Sequence, residues 1–122
     1  MRLLIIDDSP TMRGLLAIIA SELGASSEQA PDGQAALDLL AKNTAFDAAF
    51  VDWDMPRMDG LEFVRAVRAR AELAQIKLLM VTSHHAIQDV RLALALGADD
   101  FLMKPIDAGM VADKLRVLGL LE

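Results

Sequence analysis

The sequence predicts an α/β protein, a three-layer αβα arrangement in which a doubly wound parallel sheet is covered by helices on both faces. Two observations carry this. Short apolar runs alternate with longer stretches of helical spacing from end to end, and five such βα units fit into 122 residues with no linker or low-complexity segment. The apolar runs are also nearly continuous, as expected of strands buried on both faces.

LLII at 3–6 is the first strand, and Met12, Leu15, Leu16, Ile19 and Leu23 follow at helical spacing, with Ser9 and Pro10 as start signals and Gly24 as the stop. A weak strand from Ser26 to Ala30 is polar enough to suit a sheet edge, and the turn Pro31-Asp32-Gly33 leads into a helix carrying Ala36, Leu37 and Leu40. AAFV at 48–51 is the third strand, and Leu61, Val64, Val67 and Ala71 mark the third helix. IKLLMV at 76–81 precedes a helix with Ile87, Val90 and Leu94 on its apolar side and Gly97 at its end. FLM at 101–103 is the last strand, and Val111, Leu115 and Leu118 face inward from the last helix. Met110, Val117 and Leu121 lie off that face and suggest a docking or dimer surface, with a wide core stripe as the alternative.

Eighteen acidic against twelve basic residues give a net charge of −6, which argues against direct nucleic-acid binding. Five of those bases, Arg57, Arg65, Arg68, Arg70 and Lys77, cluster and read as a solvated helix face. Cysteine is absent, so there is no disulfide framework and no thiolate chemistry. The opening MRLLIID is too short and too quickly acidic for a signal segment, and no apolar run approaches membrane-spanning length. A single cytoplasmic domain over residues 1–122, not associated with a membrane, is the expectation.

Ligands in open parallel sheets bind outside the carboxyl ends of the strands. There the apolar runs end in Asp7-Asp8, Asp52, Thr82-Ser83 and Lys104-Pro105, which puts three acids, two hydroxyls and an amine along one edge. Packing gives no reason for Asp52 directly after Phe50 and Val51. Each residue alone has an ordinary reading: a helix cap for Asp7, Asp8 or Thr82, a surface lysine for Lys104, a turn former for Pro105. Their convergence does not. Three clustered carboxylates repel one another unless a cation lies between them, and a hard divalent ion suits an all-oxygen set. Lys104 and the Thr82 hydroxyl suit phosphoryl oxygens, and an aspartate in that setting is a competent nucleophile toward phosphorus.

Through Asp7-Asp8, the DWDMPRMDG segment at 52–60, VTS at 81–83 and the KP pair at 104–105, the chain resembles, over its whole length, the receiver domain of two-component response regulators. The resemblance implies strand order 2-1-3-4-5 and a phosphoacceptor switch, rather than a turnover enzyme, in which Asp52 takes a phosphoryl group. It implies Mg²⁺, with Mn²⁺ as a substitute, held by Asp7, Asp8, Asp52 and the Asp54 backbone carbonyl. Thr82 and Lys104 would hold phosphoryl oxygens, and a cis peptide would fall at Lys104-Pro105. Thr82 and Phe101 would be the switch pair, Phe101 lacking the hydroxyl of the tyrosine many members carry; a plain core role is its alternative. Asp54 and His84 occupy the positions that tune phosphoryl lifetime, although His84 and, more so, His85 also read as solvent-facing imidazoles. The implied partners are a histidine kinase or phosphotransfer protein, a downstream protein on the surface of the fourth helix, fifth strand and fifth helix, and, as an option, a second copy of the chain.

Two rivals remain at this level. A phosphatase of the haloacid dehalogenase type also has an apolar strand ending in DxD, here Asp52 and Asp54, but is expected to place that strand early and its paired acids late. A non-phosphorylated receiver used only for interaction would not need every acid and Lys104.

Overall fold

The structure, a computed structural model, describes residues 1–84 and 86–122. The chain runs β1 (Arg2–Ile6), α1 (Pro10–Glu22), β2 (Ser26–Ala30), α2 (Gly33–Lys42), β3 (Ala48–Asp52), α3 (Gly60–Arg68), a 3-10 turn at Ala71–Leu73, β4 (Lys77–Thr82), α4 (Ile87–Leu96), β5 (Asp100–Met103) and α5 (Ala108–Val117). The five strands are parallel in the order β2-β1-β3-β4-β5, as expected. Polar β2 takes one edge.

Strand side chains alternate between faces, and the core divides accordingly. Leu3, Ile5, Ala48, Phe50, Leu79, Val81 and Leu102 meet α1 and α5 through Leu16, Ile19, Val111 and Leu115. On the other face Leu4, Ile6, Ala49, Val51, Leu78 and Met80 meet α2, α3 and α4 through Leu37, Leu40, Phe63, Val64, Val67 and Ala93. No helix among the described residues is long and apolar enough to cross a membrane.

Local chemistry sets the helix starts. Ser9, Asp32 and Asp107 each accept a backbone N–H from the first turn of α1, α2 and α5, and Asp59 forms a reciprocal capping box with Glu62 at α3. α4 begins at Ala86, with no side-chain cap among the described residues.

Four expectations need correction. The third helix ends at Arg68 rather than reaching Ala71, which is exposed in the 3-10 turn. Arg68 itself is not on a solvated face. Its guanidinium donates to the carbonyls of Leu73, Ala74, Ile76 and Gly97 and to the Asp99 carboxylate, and so closes the chain reversal after α3. Ile87 and Leu94 do not face inward, being 66% and 42% exposed, because α4 turns its small-residue side to the core: Ala93 is buried, with half-buried Val90 and Leu96 beside it on the 3.6-residue repeat. Leu15 likewise points outward, whereas Leu16, Ile19 and Ala20 are buried. Of the three residues flanking the last helix's inner face, Met110 and Leu121 pack against the core and Val117 stays exposed.

Candidate functional site

β1, β3, β4 and β5 all deliver their last residues to one edge because the sheet is parallel and in register, Asp52 lying opposite Val81 and Thr82 opposite Met103. Asp7 and Asp8 follow β1 directly, Asp52 closes β3, Thr82 closes β4 and Lys104 follows β5. Carboxylate oxygens of Asp7, Asp8 and Asp52 come within 4.8 Å of one another. Lys104 Nζ donates to Asp52 Oδ1 at 3.0 Å and lies 4.0 Å from Asp7 Oδ2. The Lys104–Pro105 peptide is cis.

Asp7 and Asp52 are almost buried, with side chains only 3% and 5% exposed, whereas Asp8 is exposed and Lys104 partly so. The cluster is therefore recessed but opens to solvent at Asp8 and Lys104. Burial raises the pKa of Asp52, and Asp7 and Asp8 push it further up, against the lowering effect of Lys104. Asp7 is likewise raised by burial, with Asp8 adding to the rise, while the Ser9 N–H bonded to its Oδ1 at 2.8 Å and Lys104 oppose it.

Asp7 Oδ2 is buried and has no hydrogen-bond partner, alone in this among the described side chains. An unsatisfied buried carboxylate oxygen is costly. Here it belongs to the one three-acid cluster among the described residues, so the donor set fits a hard divalent cation with few protein oxygens.

The DWDMPRMDG segment now has a physical reading. Trp53 and Met55 are buried in the core, while the Asp54 side chain is 73% exposed. At Gly60 a Cβ would sit 2.5 Å from the Asp52 carbonyl oxygen and 2.9 Å from Trp53 Cα, so only glycine lets α3 start this close to β3. The second acid of the DxD is thus exposed beside His84 and is not one of the clustered acids Asp7, Asp8 and Asp52.

Thr82 is buried, and its Oγ1 accepts the His84 N–H at 2.8 Å. Phe101 is half-buried against the core beneath α2, α3 and α4, and the Lys114 ammonium sits 5.1 Å from its ring centre. The two residues expected to tune phosphoryl lifetime, Asp54 and His84, are in contact: His84 Nε2 lies 3.0 and 3.1 Å from the two Asp54 carboxylate oxygens. The imidazole also stacks on Trp53 at 4.6 Å and places Nδ1 3.5 Å from Asp89. The bond to Asp54 raises the His84 pKa, with Asp89 adding to the rise. His84 is therefore no free imidazole, while His85 lies outside the described residues. Sequence reasoning missed Asp89, whose approach to His84 depends on the turn into α4.

Residues 3–116 match the sequence profile of the response regulator receiver domain. A chemotaxis protein CheY homolog of Campylobacter jejuni is 37% identical over 121 residues, covering 98% of this chain and 93% of that protein. Chemotaxis protein CheY-3 of Vibrio cholerae is 34% identical over 94% of this chain and 88% of its own. Among solved structures, the chemotaxis response regulator CheY4 of Vibrio cholerae superposes with a TM-score of 0.89 at 31% identity, covering 96% of this chain and 97% of that one. Profile, sequence relatives and fold agree, and the chain belongs to the response regulator receiver domain family.

Proposed function

We propose that this receiver domain is a phosphoacceptor switch in which Asp52 takes a phosphoryl group from a histidine kinase or phosphotransfer protein. The observation that carries this reading is the meeting of Asp7, Asp8 and Asp52 within 4.8 Å, with Lys104 Nζ 3.0 Å from Asp52.

In the transfer, an Asp52 carboxylate oxygen forms a bond to phosphorus while the bond from phosphorus to the donor's imidazole nitrogen breaks. The electron pair leaves on that nitrogen. The chain's own part is to position groups and offset charge. Lys104 releases Asp52 Oδ1 and turns its ammonium to a phosphoryl oxygen, and the Thr82 hydroxyl donates to another. Asp7, Asp8, Asp52 and the Asp54 backbone carbonyl would hold Mg²⁺ or Mn²⁺, which supplies neutralisation of the charge gathered on the phosphoryl oxygens. Burial raises the Asp52 pKa, whereas Lys104 and a bound cation would both favour the ionised nucleophile. The product is an acyl phosphate on the protein rather than a turnover product, and its added charge biases Thr82, Phe101 and the surface of α4, β5 and α5 toward a second state read by a partner protein. The cytoplasm supplies both the Mg²⁺ and the donor such a switch needs.

Incubation with a small-molecule phosphodonor and Mg²⁺, followed by intact mass, tests this. The parent protein gains one phosphoryl group and the Asp52→Asn variant none; equal labelling of both proteins contradicts the assignment. Multiple turnovers of a phosphomonoester pool favour the phosphatase rival instead.

A further inference from the structure

We infer that His84 is a positioning residue that ties the phosphoacceptor loop to the first turn of α4, giving Thr82 a route to that helix that bypasses Phe101. The inference rests on the reading of Asp52 as the phosphoacceptor.

Four contacts of one residue carry it. The His84 N–H donates to Thr82 Oγ1 at 2.8 Å, so any χ1 rotation that turns the hydroxyl toward a group on Asp52 withdraws the acceptor from His84. Nε2 holds both oxygens of Asp54, two residues beyond Asp52. Nδ1 faces Asp89 at 3.5 Å, in the first turn of α4. The ring stacks on Trp53 at an interplanar angle of 18°. One residue in the loop after β4 thus links the end of β4, the loop after β3 and the start of α4, and Asp54, Ser83, His84, Ala86 and Asp89 line an open pocket of about 400 Å³ between them.

The helix on the receiving end is the one that needs holding. α4 has no side-chain cap among the described residues and buries only Ala93. Its first-turn orphan N–H groups leave it prone to fray. A His84 pulled toward or away from Asp89 therefore changes how firmly that turn is pinned. Phe101, on β5, has no hydroxyl with which to follow Thr82.

Trp53 is the only tryptophan, which makes it a clean reporter, because a stacked imidazole drains the excited indole. In the resting protein, His84→Ala is expected to raise Trp53 emission and to speed amide exchange at 87–91. His84→Phe keeps a ring over Trp53 yet speeds the same exchange, and Asp89→Asn speeds it without the full emission change. Resting exchange at 87–91 in both His84 variants equal to that of the parent protein overturns the tie. With phosphodonor and Mg²⁺, labelled parent protein and labelled Phe101→Ala both show faster exchange at 87–91, whereas His84→Ala shows no further change. A response lost in Phe101→Ala and kept in His84→Ala overturns the route. Failure of Asp52 to take label, read by mass in the same samples, is a failure of the phosphoacceptor reading; the resting measurements still decide the tie, because they need no phosphoryl group.

Discussion

α3 and α4 follow adjacent strands and cover the same face of the sheet, yet they are held very differently. α3 starts with a capping box, buries Gly60, Phe63, Val64 and Val67, and is closed at its far end by the Arg68 guanidinium. α4 starts uncapped among the described residues, buries Ala93 alone, and leaves Ile87, Leu92 and Leu94 exposed. α3 follows the strand that ends in Asp52 and α4 the strand that ends in Thr82, so one helix beside the site is an anchor and the other is free to respond. A switch needs both: chemistry at Asp52 changes only a few contacts, and such a change moves an element whose own docking is weak.

The largest expected effect falls on the anchor. Phe63→Ala should cost about 3–5 kcal/mol, as for other fully buried aromatics, whereas Leu94→Ala should stay within about 0.5 kcal/mol because that side chain is already half out of the core. Chemical denaturation of both variants checks the contrast, and similar losses would break it.

Mg²⁺ comes next. At one hundred times its Kd it should stabilise the fold by about 2.7 kcal/mol, read as a rise in Tm, and Asp7→Asn should remove most of that gain. pH enters through the same acids. Because burial raises the pKa of Asp7 and Asp52, the folded state binds protons more tightly than the unfolded one. Stability without metal therefore falls as pH rises from the unfolded carboxylate pKa through the raised folded values, and Mg²⁺ should flatten that fall. A pH series of unfolding curves with and without Mg²⁺ measures it.

The smaller gain belongs to the free helix. Ala86→Ser supplies the missing acceptor at the start of α4 and should add about 1 kcal/mol. The same variant should weaken the α4 response to phosphodonor, since a helix with its own cap loses less when the His84 tie is withdrawn. An unchanged response would separate capping from switching.

Much of this was legible from residue order. The strands and the acid edge follow from apolar runs ending in Asp7-Asp8, Asp52, Thr82 and Lys104, because a parallel sheet gathers all its carboxyl ends on one side. The orientation of α4 was not legible: Ile87, Val90 and Leu94 are spaced as a core face, but Ala93 is buried because a small side chain lets the helix lie close, and spacing alone does not weigh size. Arg68 was read by composition as one base in a cluster, whereas its carbonyl partners come from segments up to 29 residues away. The His84 contacts with Asp54 and Asp89 depend on how two loops turn back on each other, which no local pattern encodes.

Amide exchange across Gly60–Arg68 and Ile87–Leu96, recorded with Mg²⁺ before and after phosphodonor, tests the division between anchor and responder most directly. α3 should keep its protection while α4 changes, and the change should vanish in Asp52→Asn. Equal shifts in both helices, or a response in α3 alone, would contradict it.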